Sequence, residues 1–228
     1  IMKKLFLTMF FSMFLFATAN AGSYGIGVSG TIANISASGT ESEGKSGSET
    51  ENSVMSATAG NNVMYGEVYA EYNMGDNEGF TLGVAYIPGE ADINSKTLSR
   101  TDASQGSYVA QDTGTVKANA AISDHITYYA EMMMMNGFYA KLGYAQVDIN
   151  VNQTNDSGYG VYPDKTLDAL IYGLGYKGDF GNNGVVKLEG FYADYDSYSA
   201  TSNAASDAST VSADLDVVGA KLSLGYKF

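Results

Sequence analysis

Along most of this chain apolar and polar residues alternate one for one, the period of an extended strand with two different faces. The alternation recurs in eight segments. In the first, Tyr24, Ile26, Val28 and Ile32 share one face, and Gly25, Gly27, Ser29 and Thr31 the other. The second sets Met64, Val68, Ala70 and Tyr72 against Tyr65, Glu67, Tyr69 and Glu71, and the third sets Phe80, Leu82, Val84 and Tyr86 against Thr81, Gly83 and Ala85. The fourth is longer. It carries Val116, Ala118, Ala120, Ile122, Ile126, Tyr128, Ala130 and Met132 opposite Lys117, Asn119, Ser123, His125, Thr127, Tyr129 and Glu131. In the fifth, Phe138, Ala140, Leu142 and Tyr144 alternate with Tyr139, Lys141 and Gly143. The sixth places Leu170, Tyr172, Leu174 and Tyr176 around Ile171, Gly173 and Gly175, and the seventh places Val186, Leu188 and Tyr192 against Lys187, Glu189 and Phe191. In the eighth, Val218, Ala220, Leu222, Leu224, Tyr226 and Phe228 alternate with Gly219, Lys221, Ser223, Gly225 and Lys227.

One face of every segment is apolar, and the other is small, polar or charged. That is the arrangement of strands that turn their apolar side to lipid and their polar side to the lumen of a transmembrane antiparallel up-and-down β-barrel. The connections alternate in the same sense. Residues 73–79, 133–137 and 177–184 are short and rich in Gly, Asn and Asp, as periplasmic turns are. Residues 33–63, 87–115, 149–167 and 194–213 are longer and low in complexity, and they hold both prolines, Pro88 and Pro163. The spacing predicts eight strands; ten stay open if the first or second long connection hides another hairpin. In this register Tyr24, Tyr72, Phe80, Phe138, Tyr176, Tyr226 and Phe228 lie at one level near the periplasmic ends, a candidate aromatic girdle.

Three places strain the pattern. Asp124 falls on the lipid face, so it is expected near the outer rim, where a charge costs little. The apolar phase of the fifth segment slips after Tyr144 and resumes at Ala145, Val147, Ile149 and Val151, which predicts a β-bulge or an exit from the membrane. Gly66 and Gly190 take outward positions, where a neighbouring aromatic ring is expected to cover the backbone.

Ahead of the first strand, Lys3 and Lys4 precede the apolar run 5–17 and the tripeptide Ala19-Asn20-Ala21. The run is too short to span a bilayer as a helix, which takes roughly 20 apolar residues, and it reads as a secretory signal peptide over 1–21 with the barrel domain in 22–228. Cleavage there would remove two of the twelve basic residues and none of the twenty-five acidic ones, for a net charge of −15. So acidic a chain is a poor partner for nucleic acid. It has no cysteine, so export to an oxidising compartment brings no disulfide to stabilise it. Eighteen Tyr and 27 Gly against 2 Pro favour strands over helices.

The C-terminal residues Leu222, Leu224, Tyr226 and Phe228 resemble the terminal-strand signal of bacterial outer-membrane proteins, a final aromatic with apolar residues at alternate positions before it. The resemblance implies recognition of these four residues by the barrel assembly machinery during biogenesis. The eight-segment chain as a whole looks like the small porin-family barrels, the OmpA transmembrane domain and the opacity-type surface proteins. It thereby implies the outer membrane of a Gram-negative bacterium, reached through the periplasm, with outer-membrane lipid and lipopolysaccharide around it.

An eight-stranded barrel is only wide enough for side chains to fill. By register its interior receives Glu67, Glu71, Glu131 and Glu189 with Lys117, Lys141, Lys187 and Lys221, four charges of each sign. Buried charges demand partners, so a salt-bridged lumen network is expected, acting as a plug or as a gate. His125 and Ser123 fall on the same inward face, where a hydrogen-bonding role is a better expectation than hydrolysis of outer-leaflet lipid, because no oxyanion donors accompany them. The run Met132 to Met135 reads as packing rather than a soft-metal site. One histidine and no cysteine leave no expected transition-metal centre, and no cofactor or catalytic set is predicted. The acidic, Ser/Thr/Gly-rich loops are expected to be solvated, with an extracellular ligand or phage as a further candidate partner. The chain is therefore expected to be a non-enzymatic, surface-exposed structural barrel with a largely plugged lumen; the alternatives are a narrow channel for ions or small solutes and, behind it, a lipid-modifying enzyme.

Overall fold

The computed structural model of the chain describes residues 22–42, 54–74, 79–92, 98–103, 113–155, 160–203 and 208–228; the predicted signal peptide, 1–21, lies outside them. The strands are β1 (Gly22–Ser42), β2 (Val54–Met74), β3 (Phe80–Ile87), β4 (Ala91–Asp92), β5 (Leu98–Ala103), β6 (Thr113–Met133), β7 (Phe138–Asn155), β8 (Lys165–Phe180), β9 (Gly184–Thr201) and β10 (Thr210–Lys227). There is no helix among the described residues. Every pairing is antiparallel, in the order β3-β2-β1-β10-β9-β8-β7-β6, and a β3–β6 ladder closes the circle. The result is an eight-stranded, all-β barrel. β4 and β5, found inside the second long connection, add no hairpin to the wall but continue along β6. First and last strands are zipped to their ends: the Tyr24 amide donates to the Phe228 carbonyl at 3.1 Å and the Phe228 amide to the Tyr24 carbonyl at 2.9 Å.

At one end, turns are tight. Asn136 and Gly137, with φ of 58° and 84°, make the β6–β7 turn, and Gly181, with φ of 61°, opens the three-residue β8–β9 turn. This corrects the longer turn read from the sequence, since residues 177–180 still belong to β8. The connections read as long loops are corrected more heavily: β1 runs on to Ser42, β2 begins at Val54, β7 ends at Asn155, and β9 and β10 reach Thr201 and back to Thr210.

These extensions divide the barrel into two halves with opposite polarity. In the turn-side half Ile26, Val28, Ile32, Leu142, Leu174, Leu188, Leu222 and Leu224 are exposed, forming an apolar belt. On β10 the belt runs ten steps, from Val218 to Phe228. At about 3.3 Å per residue and a tilt of roughly 40° that is about 25 Å along the axis, the height of a transmembrane band. Beyond it the ladders continue but the alternation inverts. Outward positions become Asn34, Ser36, Asn62, Gln146, Asp148, Asp168, Asp194 and Asp216, and inward ones become Ala33, Ile35, Ala145, Val147, Ile149, Ala169, Leu167, Leu215 and Val217.

β7 therefore has no bulge. Its pairing with β8 is continuous from Phe138↔Tyr176 to Ile149↔Lys165, and the slip after Tyr144 is the point where the strand leaves the belt. The bulge lies opposite, on β6, where the register with β7 shifts between Ser123 and Ile126 and Asp124 adopts φ of 49°. It brings Ile122 into the interior and Ser123 to the outside, reversing their predicted sides; Asp124 sits at the rim and accepts a hydrogen bond from the Tyr86 hydroxyl at 3.4 Å. A second irregularity lies between Ala213 and Leu215 on β10.

β2 pairs with β3 only from Val68↔Tyr86 to Met74↔Phe80. Past Ile87 come Pro88, which has no amide to donate, and Gly89, with φ of 97°. Beyond them β4 and β5 pair with β6, and the stretch 54–67 of β2 pairs with β1.

Candidate functional site

The belt-level interior is filled by ionic and aromatic side chains on alternate positions of β2, β6, β7, β8, β9 and β10, facing the glycines and small polar residues of β1 and β3. Lys187, 3% exposed, lies between two carboxylates: it contacts Glu71 Oε1 and reaches Glu131 at 2.9 and 3.0 Å. One layer on, Lys141 bonds both oxygens of Glu189 at 3.1 and 3.2 Å. Above that, Lys221 bonds Glu67 at 2.7 Å. Each predicted interior glutamate is thus paired with a lysine. Lys117 is the exception among the lysines: its backbone pairs with Thr154 far up β6, beyond the bulge and away from these layers, and its side chain lies outside the described residues. In its stead Lys177, which the sequence pattern assigns to a turn, is buried at the bottom of the lumen and donates to Asn73 Oδ1 at 3.1 Å; the same oxygen accepts from the Thr81 hydroxyl at 2.8 Å. Inward parity on β8, shared with Gly173 and Gly175, was the signal that could have found it.

Tyrosines connect the ion pairs. Tyr129 donates to Glu71 at 2.7 Å and Tyr139 to Glu189 at 2.9 Å. Lys141 lies 4.2 Å from the centre of the Tyr129 ring, and Lys221 lies 5.5 Å from that of Phe191, so the cations are also held against aromatic faces. The rings pack closely against inward glycines of neighbouring strands. A Cβ at Gly83 would collide with Tyr129, and one at Gly219 would come within 2.7 Å of Phe191. The outward Gly66 and Gly190, where an aromatic cover was expected, have none: nothing lies within 4 Å of a Cβ at Gly190, and only the Ser29 carbonyl does at Gly66.

Above the charges the lumen turns apolar. Phe191, Ile171, Ala193, Val217, Leu215 and Ile35 form one buried cluster, followed by Val147, Ile149 and Leu167. Together they make a septum across the barrel. At the junction between ionic layers and septum lies a cavity of about 20 Å³ bordered by Glu67, Lys221, His125, Tyr195, Thr127 and Phe191, room for about one water molecule. His125 Nε2 and the Tyr195 hydroxyl are 2.9 Å apart, whereas Nδ1 has no hydrogen-bond partner among the described residues. Ser123 belongs elsewhere, accepting from Asn150 at 2.9 Å on the outer face, so serine and histidine are on opposite sides of the wall.

The predicted girdle is placed as follows. Tyr24, Phe138, Tyr176, Tyr226 and Phe228 are exposed at the turn end, and Phe80 is half-buried there. Tyr72 is outward by register yet only 2% exposed, with its ring 5.0 Å from that of Tyr24 and its hydroxyl against Gly22. Leu222 and Leu224 are exposed on the outer face of β10, the strand that closes on β1. Met132, Met134 and Met135 are exposed around the β6–β7 turn. No cluster of three or more His, Asp or Glu placed to hold a metal occurs among the described residues.

No protein-family model matches the chain, and no curated protein matches it. Among solved structures, similar chain courses occur in the outer membrane protein OprG from Pseudomonas aeruginosa (13% identity, 92% of this chain and 97% of that one, TM-score 0.49) and in the outer membrane protein AlkL (15%, 92% and 91%, 0.44). Another is Ail, the attachment invasion locus protein of Yersinia pestis (13%, 87% and 99%, 0.37). At such identities, what those proteins attach to or carry is a property of theirs and not of this chain.

Proposed function

We propose that this chain is an integral barrel of the Gram-negative outer membrane with a structural, surface-exposed role and a lumen that passes no solute. The observation that supports it is the pairing of opposites along one cylinder: an exposed apolar belt about 25 Å high, with its charges matched inside, and an apolar septum above them. At the level of the β2–β3 and β3–β6 ladders every strand has a ladder partner on both sides, which is what hydrocarbon demands. Two stacked obstructions of different chemistry, ionic and apolar, favour a plug over a narrow channel. Recognition of Leu222, Leu224, Tyr226 and Phe228 by the assembly machinery, and contact of the Tyr- and Asp-lined rim with lipopolysaccharide, belong to the same reading. The absence of enzymatic activity belongs to it too, supported by the separate partners of Ser123 and His125.

Planar-bilayer recording of the refolded protein tests the plug: silence is expected, and steady openings that vanish in Lys221→Ala would establish the channel instead. Unboiled and boiled samples from an outer-membrane fraction should migrate differently, because a closed barrel resists detergent until heated. Lipid A from expressing cells should keep its mass; a shift abolished by His125→Ala would overturn the non-enzymatic reading.

A further inference from the structure

Residues 160–164, just ahead of β8, are bonded to the outer parts of β1, β7 and β9. The Val161 amide donates to Asn203 Oδ1 at 2.8 Å, and the Asn203 amide donates to the Val161 carbonyl at 3.1 Å, which ties the segment to the chain leaving β9. The Pro163 carbonyl accepts from the Tyr198 hydroxyl at 2.9 Å, and the Asp164 carboxylate accepts from the Val151 amide of β7 at 2.8 Å. Tyr162 reaches furthest: its hydroxyl donates to Glu41 Oε1 at 2.9 Å. Glu41 stands on β1, and both β10 and β9 lie between β1 and β8 in the wall. Three inter-strand steps of about 4.8 Å put roughly 14 Å of wall between the two strands, so the bond closes over the opening rather than along the wall. Glu41 has the same inward parity as Ile35, Ala37 and Gly39. We propose that residues 160–164 are a strap latched across the outer mouth, shielding the lumen above the septum from the external medium, with the Tyr162–Glu41 hydrogen bond as its latch. The inference rests on the plugged-lumen reading and adds to it a closure made of backbone laid over the opening.

The strap is seated on the septum. Tyr198, which holds the Pro163 carbonyl, packs against the buried cluster of Val147, Ile149 and Leu167. Where the strap enters β8, Lys165 donates to the Ser199 carbonyl at 3.3 Å and lies 6.0 Å from the centre of the Tyr198 ring. Pro163 fixes its own φ, which narrows the conformations open to the segment. The root of the strap is thus held to β7 and β9 through backbone groups, whereas its reach to β1 is made by a side chain. Ala200, 8% exposed, lies on β9 between Tyr198 and Asn203, which both bond to the strap; a thiol there reports whether the strap is down.

The chain has no native cysteine, so both the crossing and the shielding can be read by thiol chemistry on the full chain in nanodiscs. Glu41→Cys with Tyr162→Cys should be linked within one chain by a short bismaleimide. With Ala200→Cys as reporter, Tyr162→Phe should speed labelling by a polar maleimide about tenfold, the shift in a local opening equilibrium expected from one lost hydrogen bond. Glu41→Gln keeps an acceptor oxygen and should label at close to the parent rate. Absence of the within-chain link would overturn the proposal, and so would labelling of Tyr162→Phe as slow as the parent's. The link needs no comparison of rates, so it decides the matter even if Tyr162→Phe fails to fold. Bilayer recording of the unsubstituted protein separates this inference from the reading beneath it. Steady openings with the link and the slow labelling intact would defeat the plug and spare the strap, whereas silence without the link would defeat the strap alone.

Discussion

The belt half and the outer half of this barrel are built on the same ladders, yet they solve burial in opposite ways. β7 shows both. Up to Tyr144 its outward residues are Phe138, Ala140 and Leu142 and its inward ones Tyr139, Lys141 and Gly143; after Tyr144 the outward residues are Gln146, Asp148 and Asn150 and the inward ones Ala145, Val147 and Ile149. No backbone irregularity marks the change on this strand. What changes is the solvent outside: where hydrocarbon takes the apolar face, the charges go inside, and where water surrounds the wall, the ordinary rule of an apolar interior returns.

The comparison can be broken first at Lys187. Lys187→Ala strands Glu71 and Glu131 in the belt-level lumen without their cation, and because two carboxylates lose one partner, the loss should lie at the upper end of roughly 3 to 5 kcal/mol. Urea unfolding from lipid bilayers reads it. Phe191→Ala empties the base of the septum and should cost about 3 kcal/mol, by lost burial and the cavity left behind. It should also raise bilayer conductance little, because the ionic layers below stay intact. Leu222→Arg puts a charge near the middle of the belt, with an expected loss of about 2 to 3 kcal/mol. Ser36→Arg, outward on the neighbouring strand but beyond the belt, should change stability by less than about 0.5 kcal/mol. If the last two variants proved equally harmful, the two halves would not face different solvents.

This division also explains what could be read from the residues beforehand. Eight strands, their order and the inward placement of the four glutamates were legible because belt strands alternate large apolar residues with charges, the strongest form of the period-two signal. The outer half was not. Its strands alternate Ser, Asn, Thr and Gly with Ala, as in residues 33–42 and 54–63, and small residues give too little contrast to separate a wall from a loop. Lys177 was hidden by the glycines and aspartate around it, which look like a turn. The bulge at Asp124 was invisible because Ala120 and Ile122 fit either face, and its effect was to exchange the sides of Ser123 and Ile122. The septum could be assembled only in three dimensions, since five strands supply it with one or two residues each.

Because Tyr24 and Phe228 exchange amide hydrogen bonds, the cylinder cannot shut until its extreme residues meet. Almost the whole polypeptide is then one loop whose closure entropy precedes the reward of the β1–β10 ladder. Folding should therefore be slow for a chain of this size. Until the end strands join, both would offer unpaired amides and carbonyls to any neighbour, and a helper that shields β10 would act at the step where aggregation threatens most.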